Sequence, residues 1–144
     1  MNTVKEILKT KGNTIFSITP EAPVYEALLV MAEHDVGALM VTGNNRPIGI
    51  FSERDYARKV ILQGKSSKEI TVGELMVREV FYVSPDDSID ECMVIMTKKR
   101  IRHLPVLENE RLIGLISIGD VVKQIISEQE FKIRELEKYI QGSY

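Results

Sequence analysis

The chain has 144 residues, 44% of them apolar and 28% charged, with a formal net charge of −2. That suits one compact water-soluble domain and offers no global positive field to attract nucleic acid. Its longest apolar runs, such as Leu112 to Ile118, are far short of a membrane span, and the start Met1-Asn2-Thr3-Val4-Lys5-Glu6 lacks a basic-then-apolar signal pattern.

A short helix is expected first, over about residues 4–10. An extended segment rich in β-branched and aromatic residues follows at 14–18. Thr19-Pro20 stops it, because proline removes a donor and restricts the residue before it. Val24, Ala27, Leu28 and Met31 then share one helical face. Residues 38–41 and 48–51 read as a hairpin turning at 42–46, and another helix begins near Ser52. The polar stretch 64–69 is the one linker-like segment.

From there the chain repeats itself. Pro85 to Ile126 matches Pro20 to Ile61 at a constant offset of 65 residues. Met31 meets Met96, Leu39 meets Leu104, Gly49 meets Gly114, Ser52 meets Ser117 and Asp55 meets Asp120. The lead-ins correspond too, residues 3–8 with 71–76. The second copy therefore predicts a helix at 72–76, a strand at 80–83 and a helix with Ile89, Cys92, Met93 and Met96 on its inner face. A hairpin of 104–107 with 112–116 and a helix from near Ser117 complete it. Cys92, the single cysteine, cannot form an internal disulfide and reads as buried packing, with a reducing cytoplasm as the simplest compartment. The fold class is α/β (α+β), a tandem β-α-β-β-α repeat with pseudo-two-fold symmetry, each copy leaning on the other to bury its apolar face. Such symmetry implies two equivalent clefts, and hence a paired binding site.

Beyond Ile126 an amphipathic helix is expected, ending near Gly142. Ile126, Ile133, Leu136 and Ile140 fall on one face, and Glu128→Lys132 and Glu130→Arg134 are favourable i,i+4 pairs on the other. Its stripe packs either on its own module or on a second subunit. The second is favoured, because a helix so far past a closed repeat has little intramolecular surface to cover.

The recurring polar constellation is Gly49-Ile50-Phe51-Ser52-Glu53-Arg54-Asp55 and Gly114-Leu115-Ile116-Ser117-Ile118-Gly119-Asp120. Ser and Asp three apart at a helix start form a capping box. The same pair facing a cleft offers a carboxylate to both hydroxyls of a ribose, while the helix start suits a phosphate. Arg54 and Arg58, four apart, could add phosphate contacts or simply be solvated. The basic run from Lys98 to His103 leads into a strand, whereas its counterpart, residues 33–38, lacks that character, so the two clefts should differ in affinity. His34 and His103 have no ligand-spaced partners, and no nucleophile, Walker or dinucleotide motif occurs, so an enzyme is not expected.

The doubled Gly-x-x-Ser-x-x-Asp ends and Ile101-Arg102-His103-Leu104-Pro105-Val106 resemble cystathionine-β-synthase (CBS) domains, and the chain is similar to a stand-alone CBS pair, or Bateman module, over about residues 3–126. On that resemblance the repeats divide as 1–68 and 69–127, with a C-terminal helix at 128–144. The family binds adenosine-containing ligands, so the resemblance implies AMP, ADP, ATP, NAD(H) or S-adenosylmethionine here. It implies Asp55 and Asp120 on ribose, with Ser52 and Ser117 beside them, and Arg54, Arg58, Arg102 and His103 on phosphate. The backbone near Ile15-Phe16 and Val80-Phe81 would meet adenine. Gly37-Ala38 in place of Arg102-His103, and Ile118-Gly119 in place of Glu53-Arg54, depart from two-fold equivalence, so the site carrying Ser117 and Asp120 is expected to hold phosphate less well or to take a different ligand. The resemblance also implies a homodimer of twice 16.4 kDa and an unidentified regulated protein acted on in trans, while the charge balance and short apolar runs predict no nucleic-acid or membrane partner. The alternative is a constitutive dimeric adaptor with vestigial clefts.

Overall fold

A computed structural model describes residues 2–141. The elements are α1 (Val4–Lys11), β1 (Ser17–Ile18), α2 (Val24–His34), β2 (Ala38–Gly43), β3 (Arg46–Ser52), α3 (Glu53–Tyr56), α4 (Val72–Leu75), α5 (Ile89–Lys99), β4 (His103–Glu108), β5 (Arg111–Ser117) and α6 (Ile118–Ile140). They group into two compact units, one of residues 14–81 and one of residues 2–13 with 82–141.

In the first unit β1 runs parallel to β2, and β2 antiparallel to β3. Leu39 pairs with Phe51 and Val41 with Gly49. The α2 face of Val24, Ala27 and Met31 joins Leu39, Val41, Phe51 and Val60 in a core that α4 extends with Val72 and Leu75. In the second unit β4 and β5 repeat the hairpin, Leu104 opposite Ile116 and Val106 opposite Gly114. Ile89, Cys92 and Met96 of α5 are buried, as are Val4, Ile7 and Leu8 of α1. Burial, then the charges of Asp87 and Glu91, pushes the Cys92 thiol up to about 11.

Backbone conformation follows the repeat even where side chains change. Asp35 and Arg100 both end their helices at positive φ, 52° and 55°. Asn44-Asn45 and Asn109-Glu110 turn the two hairpins with positive φ throughout, the two-residue geometry that matches strand twist.

The lead-in helices exchange places. α1 precedes the first copy in sequence but belongs to the unit of the second. Its Val4 N–H donates to Asp87 O at 3.0 Å and its Lys5 N–H to Pro85 O at 2.9 Å. At the matching positions, α4 donates from Val72 to Ala22 O and from Gly73 to Pro20 O, both at 2.8 Å. Each lead-in helix then lies over a strand glycine. A Cβ on Gly114 would stand 2.7 Å from Leu8 Cδ2, and one on Gly49 2.8 Å from Met76 Sδ and 2.9 Å from Val77 O. The glycines are there because these neighbours need the space.

Two expected strands are shorter than the sequence suggests. The extended 14–18 segment pairs only at Ser17–Ile18, while Met40 N–H also donates to Phe16 O at 3.1 Å. The expected strand at 80–83 reduces to a single parallel bridge, Val83 to Val106. Pro105 stands where Met40 does and has no N–H to give. The helix expected from Ser52 is α3 for one turn and then a π-helical turn, Ala57–Ile61, closed by Leu62 N–H to Ala57 O at 3.2 Å. In the second copy α6 instead runs unbroken through the segment expected as a separate tail helix. The expected end near Gly142 lies outside the described residues.

Candidate functional site

In the second unit β5 ends at Ser117, which caps α6. Ser117 Oγ accepts the Asp120 N–H at 3.2 Å, and the Ser117 N–H donates to Asp120 Oδ2 at 2.8 Å. The capping box expected from the spacing is therefore present. Lys11 adds a partner the sequence did not announce, donating from Nζ to Asp120 Oδ2 at 2.6 Å and to Leu115 O at 2.7 Å. Burial pushes the Asp120 carboxyl up, but hydrogen bonds from Lys11 and Ser117 and the Lys11 charge more than offset it, so the group titrates below the usual carboxylate value. Around this pair lies a cavity of about 360 Å³ lined by Ile7, Thr10, Lys11, Asp120, Lys123, Gln124 and Ser127. Arg102 and His103 are brought to the same helix start: Ile118 N–H donates to Arg102 O at 2.8 Å, and His103 pairs across the hairpin with Ser117. Arg102 is exposed and His103 half-buried.

The first unit builds the same corner. Ser52 N–H and Oγ–H donate to Asp55 Oδ2 at 2.9 and 3.0 Å, and Ser52 Oγ accepts the Asp55 N–H at 3.3 Å. Lys59 Nζ stands 3.3 Å from Asp55 Oδ1 and donates to Leu75 O at 3.1 Å. Glu53 N–H donates to Gly37 O at 3.0 Å, matching the Ile118–Arg102 bond, but Gly37-Ala38 bring no polar side chain there. Arg54 is half-buried on α3, and Arg58 is exposed in the π-helical turn. Ile15 and Phe16 lead into β1, and the Phe16 ring stacks on His34 at 3.9 Å between centroids. Val80 and Phe81 are half-buried at the end of this unit.

Each constellation is thus a carboxylate fixed by a serine cap and held by a lysine. Lys59 could have been found from its i+4 spacing to Asp55. Lys11 is 109 residues from Asp120 in sequence, and no local pattern signals it. Among the described residues no group of three or more His, Cys, Asp or Glu side chains could hold a metal ion, and no helix is long and apolar enough to cross a membrane.

The sequence profile of the CBS domain matches twice, over residues 4–61 and 72–127. The chain belongs to the CBS domain family. A CBS-domain protein from Burkholderia ambifaria MC40-6 superposes with a TM-score of 0.85 at 52% identity, over 89% of this chain and 96% of that one. CBS domain-containing protein CBSX3, mitochondrial, from Arabidopsis thaliana is 40% identical over 99% of this chain and 73% of its own length. The CBS domain pair of protein MJ0100, solved in complex with 5′-methylthioadenosine and S-adenosyl-L-methionine, shares the fold at a TM-score of 0.76 and 24% identity, over 86% of this chain and 99% of that one. The tandem mixed α/β architecture with its C-terminal helix is accordingly that of a CBS pair.

Proposed function

We propose that this CBS pair is a non-enzymatic sensor that binds an adenosine-containing nucleotide, AMP, ADP, ATP or NAD(H), and acts on a partner protein in trans. The observation that carries this reading is the corner at Asp120. A carboxylate suited to a ribose diol sits in a cavity with Lys11 and Lys123 among its lining, and Arg102 and His103 stand at the same helix start. An adenosine phosphate needs that combination of one fixed acceptor and several cations. In the proposed complex Asp120 and Asp55 take ribose hydroxyls, with Ser117 and Ser52 alongside. Arg102, His103, Arg54 and Arg58 take phosphate, and the backbone at Ile15-Phe16 and Val80-Phe81 meets adenine. The two corners bring different cations, Arg102 and His103 at Asp120 against Arg54 and Arg58 after Ser52, so they differ in phosphate affinity. The protein works as a homodimer. Buried Cys92 fits a reducing compartment such as the cytoplasm.

Titration calorimetry with each of the four nucleotides tests this. At least one should bind in the micromolar range, about −8 kcal/mol, and Asp120→Ala should weaken it. A second reading has its own support: both carboxylates already have cap and lysine partners, as an adaptor with vestigial sites would need. No heat and no thermal shift with any nucleotide would favour the adaptor.

A further inference from the structure

From Gln129 to Gln141 every residue of α6 and its cap is exposed. The helix meets its own unit through Val121, Gln124, Ile125 and Glu128, which are buried or half-buried. A second stripe runs Val122, Ile126, Gln129, Ile133, Leu136, Ile140, with spacings that alternate four and three. At 100° per residue its centre lies roughly 110° around the helix from the unit-facing stripe, so the unit does not cover it. Its apolar members are open, from 40% exposed at Val122 to 81% at Ile140. Alternating four-three spacing is a heptad seam. It puts isoleucine at three successive a positions, valine and leucine at d, and one polar residue, Gln129, at d.

We propose that this stripe is a docking surface for α6 of a second copy of the chain, forming a short parallel, in-register two-stranded coiled coil. The flanking charges choose both the partner and the direction. In this register Lys132 falls at g and Glu137 at the following e. In a parallel pair each Lys132 reaches Glu137 of the opposite helix, twice by symmetry, whereas the fully overlapped antiparallel pair sets Glu130 against Glu130 and Lys132 against Lys132, which offsets its two Lys123–Glu137 contacts. Isoleucine at a with leucine at d is also the two-stranded preference. A polar pair at Gln129 penalises slipped registers, since a one-heptad slip would face it with Val122 or Leu136. Phe131 lies on the opposite side of the helix and takes no part.

The proposal rests on the homodimer reading above and not on nucleotide binding. Light scattering on the full chain and oxidative cross-linking of three single-cysteine additions, Ile126→Cys, Leu136→Cys and Phe131→Cys, test it. Buried Cys92 is present in all three and in the unmodified chain, which serves as the control. A parallel in-register pair gives a disulfide-linked dimer with both Ile126→Cys and Leu136→Cys and none with Phe131→Cys. An antiparallel pair can give at most one of the first two, and random collision gives all three; either result overturns the proposal. A dimer by light scattering with no cross-link at either seam position removes the tail pairing but leaves the homodimer. A monomer removes both. As a second measurement, Lys132→Glu should raise the dimer dissociation constant about tenfold, and adding Glu137→Lys should restore it. No recovery in the double variant would overturn the parallel arrangement.

Discussion

Replacing Asp120 by asparagine separates its work as a helix cap from its work as a charge. The asparagine oxygen can still accept the Ser117 N–H, so the cap is retained. What is lost is the charged bond to Lys11, at 2.6 Å, with the lysine side chain 37% and the aspartate 20% exposed. A partly exposed pair of this kind is worth about 0.5–1 kcal/mol after solvent screening. Asp120→Ala also removes the acceptor for the Ser117 N–H, one hydrogen bond of the capping box, which adds about 1 kcal/mol, for a total of about 1.5–2 kcal/mol. The pH dependence has a definite sign. The folded-state value of Asp120 is depressed from 3.8, so its charge contributes stability that is present above that value and lost as pH falls through the lower, folded one. Urea unfolding of wild type and Asp120→Asn at pH 7 should therefore differ by the ion-pair amount, and the gap should shrink steadily below about pH 4. A gap at pH 7 that persists unchanged to pH 2.5 would refute the Lys11–Asp120 account.

Gly49→Ala should destabilise by about 2–3 kcal/mol, because the new methyl meets the Val77 carbonyl at 2.9 Å, held in place by the paired Ile50–Val77 hydrogen bonds. Gly114→Ala should cost about 1 kcal/mol or less, since it meets the end of a leucine side chain that can rotate; thermal melts of the two would reverse this order if the close approach is misread. Cys92 should resist a thiol reagent at pH 8 until the protein is unfolded, because burial holds it in the neutral form. Rapid labelling of the folded chain would contradict that. Arg102→Ala should weaken AMP binding by about 1.5–3 kcal/mol while leaving adenosine unchanged, and calorimetry showing equal loss for both ligands would remove Arg102 from the phosphate.

The repeat was plain in the sequence because its apolar positions and its Ser–Asp corners hold register, and burial of one face enforces that register. Both capping boxes follow from spacing alone. What the pattern could not show is where the lead-in helices go. Residues 3–8 precede the first copy, and nothing in their periodicity says that Leu8 lies over Gly114. The Lys11 contact to Asp120 depends on that placement and was hidden for the same reason. The length of β1 and the loss of its partner in the second copy turn on one donor, Met40 against Pro105. The change to a π-helical turn after Tyr56 has no visible sequence signal, and Gly64, at a φ of 68°, explains only where the segment stops.

The exchange of α1 and α4 sets where the chain can be cut. A break at residue 68, between the two sequence copies, would leave neither product with a whole unit. The first would lack α4, and with it Val72 and Leu75 of its core, and the second would lack α1 and uncover Gly114. Residues 14–81, by contrast, are contiguous and carry every element of their unit, so a ribosome completes that unit early. The other stays unfinished from residue 13 until its last strand and helix have been made. A nascent chain must therefore keep Val4, Ile7 and Leu8 unsatisfied through the synthesis of more than a hundred residues, which makes α1 the part most dependent on protection during biosynthesis.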